Sequence, residues 1–464
     1  MTPTLCGWGR LPAPGREIRS ENLARSCRDV PLTRGLGRSY GDASLPPPGR
    51  PVVAGSALAD RILAFDAASG RLRAEAGLAI SEILRVFLPR GWFVPVSPGT
   101  QFVTLGGAVA ADVHGKNHHS AGTLGRHVTA LRMLVADGRE VVASRRENTD
   151  LFQATLGGMG LTGHILEEEL DLERIPTPWI LQESRRVGSL EALVRDLRAA
   201  SAEWPFTVAW VDLAARPERS GRGVLFCGRW ASVEEAPAES PRPLGRFRVP
   251  FTAPDVLLNA PAMRLYGALQ YRKRSREPRT EIVHPERFFY PLDGIDGWNR
   301  LYGPRGFIQY QCLLPQAAGM GAVDQLLGRL RETGEVPFLT VVKDFGAEGE
   351  GLLSFPGPGL TLSLDFPVGP GTQRLVDALN ACVLAAGGRI YLAKDAFSRP
   401  EHFRRMEPRL TDFERIKRRW DPEGRIDSRQ WQRLRGALPG ESRVTVENGA
   451  VELEPAAAGE GGKR

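Results

Sequence analysis

The chain is poor in cysteine and lysine, and it has no long apolar run. Its five cysteines, Cys6, Cys27, Cys227, Cys312 and Cys382, are odd in number and nowhere spaced CxxC. That excludes a disulfide framework or a thiolate metal site as the organising feature, and a reducing compartment is the simplest setting. No stretch approaches the ~18 apolar residues of a membrane span, and the opening MTPTLCGWGRLPAPG lacks the charged-then-apolar order of a signal peptide. The expectation is a cytoplasmic protein, with peripheral contact to the inner membrane left open.

Lysine supplies only six of the 61 cations: Lys116, Lys273, Lys343, Lys394, Lys417 and Lys463. A compact ammonium shifts its pKa on burial where a guanidinium does not, so a lysine among so many arginines invites a chemical reason. Lys116, Lys343 and Lys394 fall in short segments that read as site loops. The net charge of +7 suits an anionic ligand or a lipid surface. It lacks the concentrated stripe of a nucleic-acid binder, and no nucleic-acid partner is expected.

With 464 residues, 42% hydrophobic and 25% charged, the chain is a soluble globular type with room for roughly two or three domains. Residues 1–175 alternate short β-rich runs with glycine turns, the texture of an α+β nucleotide domain. Strands are predicted at 52–56 and 71–77, a glycine-capped helix at 80–91, a hairpin around Asp137-Gly138, and a short helix, glycine loop and long strand over 150–175. Beyond RIPTPW the glycine motifs stop. A helix at 189–203, strands at 207–213, 305–315, 337–346 and 360–368, and helices near 322–333 and 371–386 suggest an antiparallel sheet with helices on one face. Proline-rich stretches around 236–261 read as loops, and the end from 434, closing in PAAAGEGGKR, as a flexible tail.

Three glycine-rich segments need one explanation: TRGLGRSYGDAS (33–44), SPGTQFVTLGGAVAADVHGKNHHSAG (97–122) and GGMGLTGHI (157–165). Bare backbone lets N–H groups approach an anion, and three such loops in one domain point to an extended diphosphate ligand; tight turns are the plainer alternative. There is no GK[ST], and no strand-GxGxxG-helix unit with a following acidic residue, so neither a Walker loop nor a Rossmann fingerprint is present. His114 and His118 have HExxH spacing, but Gly115 stands where the catalytic glutamate belongs, so no metal is expected. His118, His119 and His127 are read as structural hydrogen-bonding groups.

These segments, together with FYPLD, WNRLYGPRGFIQYQ and GGRIYLAKD, resemble the flavin oxidases of the vanillyl-alcohol oxidase type, most closely their decaprenylphosphoryl-ribose 2'-oxidase branch, over about residues 30–435 in order. The resemblance implies an α+β fold: a two-part FAD-binding domain (1–175 and 386–433) around an inserted substrate domain on an antiparallel sheet (176–385), then the tail 434–464. It implies FAD contacts from Arg34, Gly35, Leu36, Gly37, Arg38, Ser39, Tyr40, Gly41 and Asp42 in the first loop. Gly99, Thr104, Leu105, Gly106 and Gly107 follow in the second, then His114, Gly115, Lys116 and Asn117 beside the flavin, Ile165 on the adenine side and Tyr391. Relatives with covalent flavin use a histidine where Arg38 stands, so non-covalent FAD is expected.

The implied activity is oxidation of a sugar secondary alcohol, the 2'-hydroxyl of a polyprenylphosphoryl ribose, as the first half of an epimerisation completed by a separate nicotinamide-dependent reductase. An oxidase of soluble aldonolactones or alditols, or another polyol, is the alternative enzyme, and a non-catalytic flavin- or nucleotide-binding protein the alternative class. Hydride loss to a flavin needs a cation for the growing charge and a base for the hydroxyl proton. Lys394 is the candidate cation and substrate anchor, unless it merely pairs with Asp395, and His114 is the second catalytic candidate. Gln309 and Gln311 share a strand face and could fork onto sugar hydroxyls or simply make a polar face. Lys343 reads as a phosphate contact or a solvated strand end, and Trp210 and Tyr302 as sugar-pocket walls or core aromatics. Ser363 stands where mycobacterial members carry a cysteine, so pocket shape and thiol reactivity are expected to differ while activity survives. The basic stretch QYRKRSREPRT (270–280) reads as one loop, either solvated or drawn to anionic lipid.

Overall fold

The computed structural model describes residues 3–215, 220–239, 241–242, 244–254, 260–436, 444–447 and 450–453. After a short antiparallel pair, Thr4–Cys6 with Pro12–Pro14, comes a three-stranded parallel sheet: β1 (Arg16–Arg19), β2 (Thr33–Arg34) and β3 (Val52–Gly55), with β3 central. Next comes a five-stranded antiparallel sheet of β4 (Ile62–Asp66), β5 (Arg71–Glu75), β6 (Val128–Leu134), β7 (Glu140–Ser144) and β8 (His164–Asp171), in the order β7-β6-β8-β5-β4. Helices α1 (Ile80–Phe87), α2 (Leu105–Ala110) and α3 (Thr149–Thr155) lie between these strands in sequence. As the sequence predicts, α1 runs out into a single tight turn that closes on Gly91 at φ 77°, a left-handed stop that costs glycine little.

The second sheet has eight strands, all antiparallel. They are β9 (Ile180–Val187), β10 (Phe206–Asp212), β11 (Arg222–Trp230), β12 (Arg279–Val283), β13 (Phe307–Pro315), β14 (Thr340–Phe345), β15 (Gly359–Pro367) and β16 (Arg389–Ile390), in the order β12-β9-β11-β10-β14-β15-β13-β16. Strand alternation divides its faces. Gly223 abuts Leu193 of α4 (Leu190–Glu203), and Tyr310 donates a hydrogen bond to Asn380 of α7 (Thr372–Ala385) at 2.9 Å. Their neighbours Val224, Gln309 and Gln311 face a cavity on the other side. Helices α4, α6 (Gly319–Thr333) and α7 therefore cover one face, leaving the other for a ligand.

Four segments differ from the sequence-based expectation. Arg389–Ile390 still pairs with β13, so the sheet extends past residue 385 before α8 (Pro400–Met406), α9 (Leu410–Trp420) and α10 (Arg429–Leu434). The basic stretch 270–280 is not one loop: Arg272 closes helix α5 (Ala260–Arg272) and Arg279 opens β12, because the apolar residues that fix α5 lie upstream of the charges. At the end of the chain, Val444–Glu447 and Ala450–Leu453 form an antiparallel pair; otherwise the expected flexible tail lies outside the described residues from 437 onward. Within the proline-rich 236–261, Phe247–Arg248 pairs in parallel with Ile295–Asp296, while 240, 243 and 255–259 lie outside the described residues.

Candidate active site

A cavity of about 670 Å³ lies between the glycine loops and the open face of the eight-stranded sheet. One wall is bare backbone and small side chains, with Gly35, Gly37, Gly99, Gly106, Gly107, Gly160 and Gly163 all lining it. The first two loops interlock. A Cβ on Gly35 would sit 2.3 Å from the Thr104 hydroxyl, which itself caps α2 by accepting the Gly107 N–H at 3.2 Å. Gly37, at φ 64°, turns back over the Arg34 guanidinium.

The structure divides the predicted cofactor residues. Gly35, Leu36, Gly37, Arg38, Ser39, Tyr40, Gly99, Thr104, Gly106, Gly107, His114, Lys116, Ile165 and Tyr391 line the cavity. Arg34, Gly41, Asp42, Leu105, Gly115 and Asn117 do not. Arg34 is consumed by Cys6 O (2.8 Å), Ser44 Oγ (2.8 Å) and Glu17 (3.5 Å). Asp42 accepts from Arg433 at 2.8 and 2.9 Å, and Gly41 lies against the Asp395 carbonyl. Leu105 is core, Asn117 donates to Pro95 O at 2.8 Å, and Gly115 packs between Asn117 and Ser97. These six shape the loops from behind.

His114 enters the cavity from a segment pinned at its foot by Asp112. That carboxylate, at φ 38°, accepts the Gly125 N–H at 2.8 Å and the Ser354 hydroxyl. The His114 ring lies 5.0 Å from Tyr391 and 4.8 Å from Phe345. Gln311 Nε2, which can only donate, is 3.1 Å from His114 Nε2, so the imidazole accepts there and carries its proton on Nδ1, which is buried with no partner among the described residues. Burial first, then Lys343, His118 and Lys394, hold His114 well below the usual imidazole range, in its neutral form. The other histidines of the stretch are occupied structurally: His118 accepts from Gly346 N (3.2 Å), His119 Nε2 donates to Trp204 O (2.9 Å) and His127 Nε2 to Ala121 O (3.0 Å).

Opposite the glycine wall stand three of the six lysines. Lys116 donates to Phe289 O at 2.9 Å, Lys343 projects from β14, and the Lys394 ammonium sits 3.8 Å over the Tyr40 ring. Each keeps some exposure, and each faces the cavity. None is in a salt bridge among the described residues. Burial depresses Lys116 and Lys394 to about 7 and Lys343 to about 8; Lys343 lowers both of the others further, while Asp365 partly supports Lys394. Asp395 is not the partner of Lys394, since it belongs to Arg433 at 2.8 Å.

Gln309, Gln311, Lys343 and Trp210 line the cavity beside these lysines. Tyr302 does not: its ring stacks on Phe307 at 4.1 Å and its hydroxyl donates to Asp365 at 3.1 Å. Sequence reading passed over Asp365, which accepts from Gln309 at 2.6 Å and is pushed up to about 6 by burial. Its signal was there, because a lone carboxylate in the otherwise uncharged LTLSLDFP is unexpected in a fully buried strand. Asp293, within FYPLD, was likewise missed; it accepts the Gln101 N–H at 2.8 Å and lines the cavity.

Comparison with known proteins gives this geometry a lineage. An FAD binding domain model matches residues 22–144. Decaprenylphosphoryl-beta-D-ribose oxidase of Mycolicibacterium smegmatis is 34% identical over 452 residues, covering 93% of this chain and 97% of that protein. The chain belongs to the decaprenylphosphoryl-ribose oxidase family of FAD-linked oxidases. It is an FAD-dependent oxidoreductase. An uncharacterized Streptomyces coelicolor protein is 36% identical over 374 residues, 77% of this chain and all of that one. Human Delta(24)-sterol reductase is 28% identical over 109 residues, 24% of this chain and 21% of its own length. The residues fit the cofactor: glycine backbone and the Ser39 and Thr104 hydroxyls suit a diphosphate, and the His114 and Tyr391 rings on the lining suit the side of a fused ring.

Proposed function

We propose that this family member oxidises the 2'-hydroxyl of a ribose carried on a polyprenyl phosphate, with FAD held non-covalently. What supports this reading most is the cavity itself, which joins a glycine-rich cradle to a wall where three lysines stand in no salt bridge among the described residues. A neutral polyol would not need them; a phosphate would. Non-covalent attachment fits the lining, where His114 is engaged by Gln311, Arg38 packs 4.0 Å over Trp8, and none of the described cysteines takes part.

FAD, when bound, supplies the acceptor for the hydride. The chain's residues do the rest. Gln309 and Gln311 hold sugar hydroxyls, their amides oriented by Asp365 and by Thr361 with His114. Lys116 and Lys343 neutralise the phosphate. Lys394, held near 7, takes the hydroxyl proton in its amine form and then, as an ammonium, balances the negative charge left in the cavity. The expected standing cation is thus one formed during the reaction. Reduction of the keto sugar on its other face, by a separate nicotinamide-dependent reductase, would complete an epimerisation.

The test is to trap the product of a short-chain prenylphosphoryl ribose with borodeuteride. Deuterium at C2', in both epimers, is the expected result. Deuterium elsewhere, or turnover of free alditols and aldonolactones only, would contradict the reading.

A further inference from the structure

The cavity extends beyond the space between the lysines. Along the open sheet face it is bounded by Val208, Trp210, Val224 and Phe226, and helix α5 closes it with Tyr266 and Gln270. The inner side of α5 is firmly seated. Met263 is buried, a Cβ on Gly267 would come 2.6 Å from Asp212, and the Arg222 guanidinium lies 4.7 Å over Tyr271.

Its outer side is apolar and uncovered. Leu265 is 63% and Leu269 51% exposed, one turn apart on the same stripe. Phe247 and Phe251 are 69% and 59% exposed. Phe247 pairs in register with Ile295, which itself lines the cavity. Both apolar segments therefore border the cavity. Directly after the leucines come Arg272, Lys273 and Arg276, all exposed and in no ion pair among the described residues, while Arg274 turns inward to Glu281 at 3.2 Å.

An apolar stripe backed by exposed cations matches an anionic bilayer, whose interior takes the leucines and whose headgroups meet the charges. A second copy of the chain matches it poorly, because a two-fold contact would set one basic segment against the other. We propose that the outer face of α5, with Phe247, Phe251 and the basic segment after it, docks on an anionic lipid bilayer. Resting on the function proposed above, the apolar arm beneath α5 then takes the first isoprene units while the rest of the chain stays in the membrane.

Flotation of the FAD-loaded full chain with phosphatidylcholine vesicles, with and without phosphatidylglycerol, tests the docking independently of any sugar. The expected result is binding that needs the anionic lipid and weakens with salt. Leu265→Gln/Leu269→Gln and Arg272→Glu/Lys273→Glu should each lower binding by about tenfold or more. Both should retain FAD and oxidise a water-soluble short-chain substrate at the wild-type rate. If the double leucine variant loses FAD, Leu269→Gln alone replaces it. Wild-type protein that does not float, variants that float equally well, or a dimer dissolved by the leucine changes would each overturn the proposal. Flotation without turnover of prenylphosphoryl ribose would leave docking standing and refute the substrate assignment instead.

Discussion

Lys394 and Asp395 are adjacent in sequence and belong to two charge clusters built on opposite principles. Asp395, Asp42 and Arg433 satisfy one another at 2.8 Å, and the Arg433 pKa is raised by its two carboxylates. Lys394, Lys343 and Lys116 are in no salt bridge among the described residues; burial depresses all three, and Lys343 lowers the other two further against partial support from Asp365 and Asp293. A compensated cluster fixes geometry; an uncompensated one is poised to take up a proton or an anion. Here the first holds the second in place, since Arg433 ties the glycine loop at Asp42 to the segment that carries Lys394.

The sharpest way to separate the two clusters is to remove one member of each. Lys394→Ala should retain FAD and slow substrate-driven flavin reduction by about 10²- to 10⁴-fold, the usual range for losing a positioned acid or base; anaerobic stopped-flow reads it, and an unchanged rate would remove Lys394 from the chemistry. Arg433→Ala should act mainly on stability, lowering it by about 3–5 kcal/mol because two buried carboxylates lose their cation. Denaturant unfolding of the FAD-loaded protein measures that, and a loss under about 1 kcal/mol would mean that water replaces the guanidinium at little cost.

The uncompensated cluster also predicts a pH dependence with a definite sign. Burial holds Lys394 at about 7, and on the proposed function the amine is the active form. The rate of flavin reduction should therefore fall about tenfold per unit below that value and level off above it. A rate that falls as pH rises would mean that the ammonium is the working form. The smallest effect is expected at Ser363, which lines the cavity on β15. Ser363→Cys should leave turnover within about twofold while adding a thiol open to alkylation, because no proton or hydride step uses that position; mass spectrometry after a thiol reagent checks it.

What was legible in the sequence follows the same division between local and distant causes. Glycine loops, strands and the Gly91 cap could be read because φ, periodicity and turn chemistry act over a few residues. The lysines stood out by rarity. The partners of Arg34 and Asp42 could not be read because they are distant: Cys6 and Glu17 precede the loop, and Arg433 lies 391 residues beyond Asp42. Asp365 and Tyr302 likewise meet only because β15 pairs with β13. Residue type suggested chemistry at each of these sites, and only tertiary pairing decides whether a charge is available or already used.

The most direct test of the account is an anaerobic visible spectrum of the purified protein before and after addition of a prenylphosphoryl ribose, followed by acid precipitation. The account predicts a yellow protein that bleaches on addition and releases its flavin into the acid supernatant. A flavin that stays oxidised with that substrate, or that precipitates with the protein, would contradict it.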